Sequence, residues 1–333
     1  MGGQVKTETA TAKSVPPGLA WRWMIFPAYA VAALTVIFIR FSSLVEVSHE
    51  NGLLALLLNT LLVTGVSAWG AVLGFRGYVA SGRSELVWAG CGLVALGSSI
   101  FISSLIVEAA AGPNDAVTVH NLGVFFASIF HLAASLHAGQ PKVQKPDPTA
   151  FKASSAYLGV LALTGLFWAA ARYDWAPVFY IAGNGSTPVR QLVLTVSVAL
   201  LAVAAAFLIR HSVLPGSRPL RYYGLGLGLI AMGLVDVSIA APGSVLSWTG
   251  RISQSIGHLY VLAAFLVAIR SAAQKGLDVR EEAADYYLES EDHYRTLVGA
   301  LQSAVISTNA RQNVILCNPW TETLLGYSYE EAA

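Results

Sequence analysis

Long apolar stretches, separated by short polar ones, follow one another through most of the chain. A membrane-spanning helix needs about 20 mainly apolar residues, because the hydrocarbon core offers no partner for an unpaired backbone group. The stretches that approach or reach this length are 20–40, 52–79, 86–109, 116–138, 155–172, 190–210, 222–242 and 252–273. The pattern predicts an all-α polytopic membrane bundle of about eight transmembrane helices over residues 20–273.

The composition is also typical of a membrane protein. Apolar residues form 55% of the chain and charged residues 12%, and the mean hydropathy is +0.59. The net charge of +1 disfavours a nucleic-acid partner. The apolar composition makes membrane lipids the expected surroundings. Cys91 and Cys317 lie far apart in the sequence and predict no disulfide framework. Residues 1–19 lack the order of a secretory signal and are predicted to be a disordered cytosolic leader.

The distribution of Lys and Arg predicts the orientation of the bundle. If the N-terminus is cytosolic, fourteen basic residues lie in cytoplasmic segments, and only Arg40, Arg172, Arg190 and Arg251 lie outside. Positive residues are enriched on the cytoplasmic side of membrane proteins. Both termini are therefore predicted to be cytosolic.

The chain continues beyond the last apolar stretch as a polar segment without proline, residues 274–301. Apolar and aromatic residues recur there, starting one residue earlier, at three- and four-residue spacing: Ala273, Leu277, Ala284, Tyr287, Tyr294, Val298 and Leu301. This spacing predicts a helical signalling linker that pairs in a parallel coiled coil, which makes the protein a homodimer. A single solvated helix is the alternative.

Two strand-like stretches, "SAVISTNA" and "NVILCN", follow the linker, and a helix opening at Pro319 follows them. Together with the preceding Tyr-Arg-x-Leu they resemble the first third of a PAS domain. The matching residues are Tyr294, Arg295, Leu297, Asn318, Pro319, Leu324, Leu325, Gly326, Tyr327, Glu330 and Glu331. Residues 302–333 are expected to be the N-terminal part of a truncated α+β PAS domain, which implies a longer signalling protein with a separate output domain.

Two motifs in the membrane part resemble the third class of bacterial and archaeal membrane-associated sensor domains. The matching residues are Gly185, Thr187, Pro188, Gly257, His258 and Leu259. The resemblance covers about residues 45–280. It implies an input domain of a sensor histidine kinase in a two-component system, or of a cyclic-dinucleotide enzyme, in the inner (plasma) membrane of a prokaryote. No catalytic domain is expected within this chain.

Polar side chains inside the predicted spans are candidates for a ligand site, because ionisable groups in lipid usually face a partner, a cavity or a ligand. Counting along the helices places His120, Asp236 and His258 at one depth, about 6 to 9 Å below the outer surface. The predicted ligand-binding residues in this outer half are His258, Asp236, His120, Asn121, Gln254, Asn59 and Arg190. The ligand is expected to be small or lipid-soluble, and the residues name neither it nor a cofactor.

Two other interpretations of these residues stay open. Asp236 and His258 can form a polar link between spans seven and eight, and His120 and His258 can ligate a metal or a haem in a redox sensor. The run "GLGLGLIAMG" (224–233) predicts close helix packing, since a nucleotide loop needs a preceding strand and a phosphate-binding Lys. Tyr223, near the start of a span, is interpreted as an anchor at the membrane interface.

The predicted function is that of a membrane-embedded sensor module, which passes helix motion from the ligand to the cytosolic PAS and output domains. A small-molecule transporter is the alternative and predicts inverted repeats with broken helices. Spans one to four and five to eight show no clear repeat. A membrane enzyme is a third class, but the spans lack the histidine box that it predicts.

Overall fold

The computed structural model describes residues 30–35, 37, 52–108, 112–138, 150–182, 184–212, 218–240, 244–308 and 314–326. The chain divides into two units, Met1–Ile269 and Arg270–Ala333. The helices and strands are α1 (Gly52–Leu58), a π-helical segment (Asn59–Gly65), α2 (Val66–Ser81), α3 (Ser84–Glu108), α4 (Pro113–His137), α5 (Ala150–Arg172), β1 (Tyr180–Ile181), β2 (Gly185–Ser186), α6 (Pro188–His211), α7 (Arg218–Ile239), α8 (Val245–Ala300), β3 (Ile306–Thr308), β4 (Val314–Cys317) and α9 (Pro319–Leu325).

Seven helices within the described residues are long and apolar enough to cross a membrane. Their bounds are Leu53–Ser81, Ser84–Val107, Pro113–His137, Ala150–Arg172, Pro188–His211, Arg218–Ile239 and Val245–Gln274. They correspond to seven of the eight predicted spans, so the polytopic all-α bundle is confirmed for this part of the chain. The first predicted span, 20–40, lies largely outside the described residues, of which 30–35 and 37 are helical. The largest difference is α8, which begins at Val245 and not at 252.

Short connections make consecutive spans antiparallel. As a result α1, α4, α6 and α8 begin at one end of the bundle, which we name the Val245 end. The β1–β2 hairpin lies there too, and Asn114 holds it on α4, because the Asn114 Oδ1 accepts hydrogen bonds from the backbone nitrogens of Phe179 (2.9 Å) and Tyr180 (3.0 Å). Thr187 then caps α6, since its side chain accepts a hydrogen bond from the backbone nitrogen of Arg190.

The core of the bundle lies between α3, α4, α6, α7 and α8. The core is tightly packed. One side chain from each of these helices is at most 1% exposed: Leu93, Val124, Leu208, Leu227 and Val261. Other apolar side chains of the same helices are exposed, as expected for helices that face lipid on one side.

Helices α7 and α8 approach until their backbones touch. A Cβ atom added at Gly226 would lie 2.7 Å from the carbonyl oxygen of Gly257, and one added at Gly257 would lie 2.7 Å from that of Gly226. Gly233 and Gly250 make the same reciprocal approach, again under 3.0 Å. Ser253 Oγ also donates a 2.7 Å hydrogen bond to the carbonyl of Leu229. The prediction that the glycine run 224–233 serves helix packing is confirmed.

The second unit contains a small antiparallel ladder. Strand β3 pairs with β4 in a register that places Ile306 opposite Cys317. Asn318, 2% exposed, joins the surrounding segments: its Nδ2 donates to the carbonyls of Ser303 (2.8 Å) and Val298 (3.1 Å), and its Oδ1 accepts from the nitrogens of Val305 and Thr321, both at 3.0 Å. The two strands and the helix opening at Pro319 are confirmed as elements.

The PAS domain and the coiled-coil pairing stay predictions. The backbone of the linker is helical up to Ala300, as predicted. The side chains of residues 275–295, which carry most of the proposed pairing stripe, lie outside the described part of the chain, as do residues 1–29 and 327–333.

Candidate functional site

The glycine contacts between α7 and α8 determine which residues of these two helices lie at the same level. Gly226 lies beside Gly257, and Gly233 lies beside Gly250. This antiparallel register places Asp236 level with residue 247 and His258 level with residue 225. The two side chains are therefore about 16 Å apart along the helix axis, at about 1.5 Å per residue. The prediction that they share one depth is wrong, because α8 starts seven residues earlier than the apolar pattern indicated.

Asp236 is fully buried near the Val245 end. Its Oδ2 accepts a 2.9 Å hydrogen bond from Thr35 Oγ1, and its Oδ1 has no hydrogen-bond partner among the described residues. Its Cβ is 2.9 Å from where a Cβ on Gly250 would stand. Asp236 thus links α7 to the first apolar segment through Thr35, not to His258 as the polar-link interpretation proposed.

His258 belongs to a different buried group, which also contains His131 and Tyr223. His258 Nδ1 donates to the carbonyl of Gln254 at 2.7 Å, and His131 Nδ1 shares a 2.7 Å hydrogen bond with the Tyr223 hydroxyl. Both imidazoles are fully buried. The Nε2 atom of each is buried without a hydrogen-bond partner in the described structure.

The sequence interpretation missed the role of Tyr223 in this group. Tyr223 is 8% exposed, so its side chain faces the interior of the bundle and not the lipid. It directly precedes the glycine run of α7, and that adjacency is the signal that could have identified it as an inward-facing residue. His131 also packs closely on α3, since a Cβ added at Gly92 would lie 2.7 Å from its Nε2.

His120 lies in a positively charged environment nearer the Val245 end. The charges that act on it are those of Arg190 and Arg251. Arg190 Nη1 donates to Ser186 Oγ, and its Nε is buried without a described partner. The neighbouring Asn121 is 1% exposed, and its Nδ2 also has no partner within the described structure. Asn121 Nδ2 and Arg190 Nε are thus two buried donors without a described partner.

A cavity of about 110 Å³ lies between the α1 and π-helical stretch and α8. Its polar lining includes Asn59, Arg251 and Ser255, and its apolar lining includes Leu62, Ile256 and Leu259. The Asn59 Nδ2 donates to Ser104 Oγ at 3.3 Å. The Arg251 guanidinium lies 5.0 Å from the centre of the Trp248 ring, close enough for a cation–π interaction.

The structure brings together only some of the predicted site residues. Asn59 lines the cavity, as does Arg251, which was not predicted. Gln254 is 7% exposed and packs against Gly233 on α7, where its Cγ would be 2.7 Å from an added Cβ. Whether any of these residues binds a ligand stays a prediction.

The proposed metal pair, His120 and His258, is divided between two surroundings. His258 interacts with His131, and His120 interacts with two arginines, whose charge disfavours a bound cation. Across the described ranges, no three His, Cys, Asp or Glu side chains converge as they would around a metal ion.

The membrane unit is similar to a known family of sensor domains. A family model described as a membrane-associated sensor domain, MASE3, matches residues 47–279. The chain belongs to the MASE3 family. The matched region contains the whole cavity, the His131–Tyr223–His258 group and all seven described spans. The resemblance inferred from the loop and Gly-His-Leu motifs is thereby confirmed for the membrane part. Searches of curated proteins and of solved structures found no match.

The MASE3 match makes this chain a multi-pass membrane protein with a sensor domain. It does not extend to residues 280–333, so it bears on neither the PAS resemblance nor an output domain.

Proposed function

We propose that the MASE3 domain is the ligand-sensing input module of a dimeric receptor in the inner membrane of a prokaryote. One observation carries the proposal: α8 supplies one wall of the cavity, with Arg251, Ser255 and Leu259, and the same helix continues to Ala300. A ligand shifts a conformational equilibrium only if it binds two states with different affinity. Contacts on α8 give the ligand access to the helix that leads to the cytosolic segment.

The opposite wall of the cavity supports the same proposal. Asn59 and Leu62 belong to the π-helical segment Asn59–Gly65. π-Helical turns occur often at functional sites, because the widened turn alters which side chains face a neighbour. A small or lipid-soluble ligand between this segment and α8 would therefore contact an irregular, adjustable turn on one side and the signalling helix on the other.

The receiving part of the receptor is the PAS-like segment and an output domain beyond it, such as a histidine kinase or a cyclic-dinucleotide enzyme. The motif residues from Tyr294 to Glu331 support this part of the proposal. In the proposed receptor, the helical linker pairs with the linker of a second copy of the chain, and displacement of α8 changes this pairing.

Cysteine crosslinking of the full chain in membranes tests the receptor model. In a background with Cys91→Ala and Cys317→Ser, cysteines introduced at 284, 287 and 294 should crosslink strongly, and those at 285 and 289 weakly, because only the first set lies on the pairing stripe. Adding Ala55→Phe, which fills the cavity, should change crosslinking at 287, because the empty and filled cavities favour different positions of α8.

Ala68→Phe is the matched control, since Ala68 is exposed and does not line the cavity. It should leave the crosslinking profile unchanged. A flat profile along the linker contradicts the parallel dimer, and equal profiles with Ala55→Phe and Ala68→Phe contradict the coupling of the cavity to the linker.

The topology of the receptor has its own test. Both termini are proposed to be cytosolic, which puts the β1–β2 hairpin outside the cell. A cysteine at position 184 should react with a membrane-impermeant reagent from the outer side, and one at position 146 from the cytoplasmic side. The reverse labelling pattern would contradict the orientation.

A further inference from the structure

Four large side chains are exposed on the segment that leads from α5 into the β1–β2 hairpin. Tyr173 is 66% exposed, Trp175 72%, Val178 50% and Ile181 47%. The rings of Tyr173 and Trp175 lie side by side, with their centres 5.6 Å apart. Phe179, in contrast, is 1% exposed, so the same segment turns one large side chain inward. We name the four exposed residues the Trp175 surface.

The backbone that carries the two rings forms a defined helix-ending turn. The Trp175 nitrogen donates a 2.8 Å hydrogen bond to the carbonyl of Ala170, and the Asp174 nitrogen donates a 3.3 Å hydrogen bond to that of Ala171. Asp174 has a φ of +56°, the left-handed conformation that glycine usually provides in this motif. The hydrogen bond to Ala170 brings Trp175 back towards the last turn of α5, so its backbone stays close to the helix end.

The Trp175 surface begins where the lipid-facing side of α5 ends. Leu161 and Trp168 are exposed on this helix and lie seven residues apart, so they share one face. Helix α5 has 23 residues and is therefore about 34 Å long, slightly more than the roughly 30 Å hydrocarbon core of a bilayer. The end of α5, which Tyr173 follows directly, thus lies at the level of the lipid headgroups. Trp and Tyr are enriched at this level in membrane proteins.

The hairpin part of the surface stays at the same level. Asn114, which accepts hydrogen bonds from the hairpin backbone, is the second residue of α4. Thr187, at the start of α6, donates a 2.8 Å hydrogen bond from its Oγ1 to the carbonyl of Val178. The hairpin is therefore held beside the helix ends. A docking site for a soluble protein would have to extend past the headgroups, whereas this surface lies level with them.

We propose that the Trp175 surface is a membrane-interface anchor, whose partner is the lipid of the surrounding bilayer. The two aromatic rings lie among the headgroups, where the indole N–H and the phenol O–H reach polar partners, and Val178 and Ile181 meet the upper part of the acyl chains. This contact fixes the depth of the hairpin and, through Thr187, that of the start of α6. The inference is independent of the proposed sensor function, because it concerns the surrounding lipid and not a sensed ligand.

Spin-label accessibility in the full chain, in phosphatidylcholine nanodiscs, tests the proposal. The background is Cys91→Ala with Cys317→Ser. A nitroxide at Val178→Cys or Ile181→Cys should collide more with oxygen, which concentrates in lipid, than with a water-soluble nickel chelate. A label at Asn184→Cys, in the turn of the same hairpin, is the matched control and should be more accessible to the chelate.

Variants of the two rings show whether they supply the anchor. Tyr173→Ala combined with Trp175→Ala should shift the labels at 178 and 181 towards the chelate. Tyr173→Phe combined with Trp175→Tyr keeps two aromatic rings and should retain most of the oxygen preference. Trp69→Ala is the control, because Trp69 is also exposed but lies within the span Leu53–Ser81. It should leave the depth of both labels unchanged.

Three results would overturn the proposal. Preferential collision of the labels at 178 and 181 with the chelate would place the surface in water. Dipolar broadening between the labels of two copies would assign the surface to a protein interface. An oxygen preference that is the same with and without the two alanine substitutions would show that the rings do not hold the hairpin in the lipid. The side chains replaced are exposed, so the variants are expected to retain the fold.

Discussion

Alanine at Gly226 or Gly233 is expected to destabilise the membrane unit by about 1–3 kcal/mol for each substitution, the usual cost of overpacking. At both positions an added Cβ would lie under 3.0 Å from a backbone carbonyl oxygen of α8. A backbone cannot rotate away as a flexible side chain can, so the helices must separate. The free energy of unfolding in mixed micelles measures the effect.

Gly228→Ala is the matched control for these two variants. It lies on the same helix, two residues from Gly226, and an added Cβ there meets no heavy atom within 4 Å. Alanine favours a helix over glycine by up to about 1 kcal/mol, so this variant should be neutral or slightly more stable. Equal destabilisation by all three substitutions would contradict a role of the α7–α8 contact, because an added Cβ at Gly228 meets no neighbouring atom.

The His131–Tyr223 hydrogen bond is expected to produce the second large effect. Tyr223→Phe leaves the Nδ1 of a fully buried imidazole without its 2.7 Å partner. His131→Leu instead leaves the buried Tyr223 hydroxyl without this hydrogen bond. Each single variant should cost about 1–3 kcal/mol, the penalty for an unsatisfied buried polar group.

The double variant separates this hydrogen bond from the rest of the packing. With both polar groups removed, neither is left unsatisfied, so the double variant should cost less than the two singles together, by about 0.5–3 kcal/mol. The free energies of unfolding in mixed micelles of the parent, the two single variants and the double variant give the double-mutant cycle. Tyr173→Phe serves as the control, because Tyr173 is 66% exposed. Strict additivity of the two singles would contradict a direct energetic link between these side chains.

These two interactions join α7 to different helices and act on different parts of the proposed receptor. The glycine pairs set the register between α7 and α8, and the His131–Tyr223 pair joins α7 to α4. The cavity proposed to bind the ligand is on another side of α8, against α1 and the π-helical segment. A ligand that moves α8 must therefore shift it relative to α7, with which it is in close backbone contact.

The lengths of the apolar stretches predicted the spans because lipid enforces a minimum run of apolar residues and a closed backbone hydrogen-bond pattern. The same requirement does not determine how far a helix extends past the ends of the apolar run. Helix α8 starts at Val245, so Arg251 lies inside the helix and lines the cavity. By sequence Arg251 counted as a residue of the outer loop, and it was absent from the predicted site for that reason.

By itself, the sequence determined the class of protein, seven of the helices, the close packing expected of the glycine run and the family of the membrane domain. It could not determine which polar side chains meet, since this depends on the rotation of each helix and on the register between neighbours. That register is decided by backbone contacts such as those of Gly226 with Gly257. The sequence of one helix does not show which residue of a neighbouring helix it will contact. The tertiary structure alone therefore separated Asp236 from His258, turned Tyr223 inward towards His131, and placed Asn59 and Arg251 in one cavity.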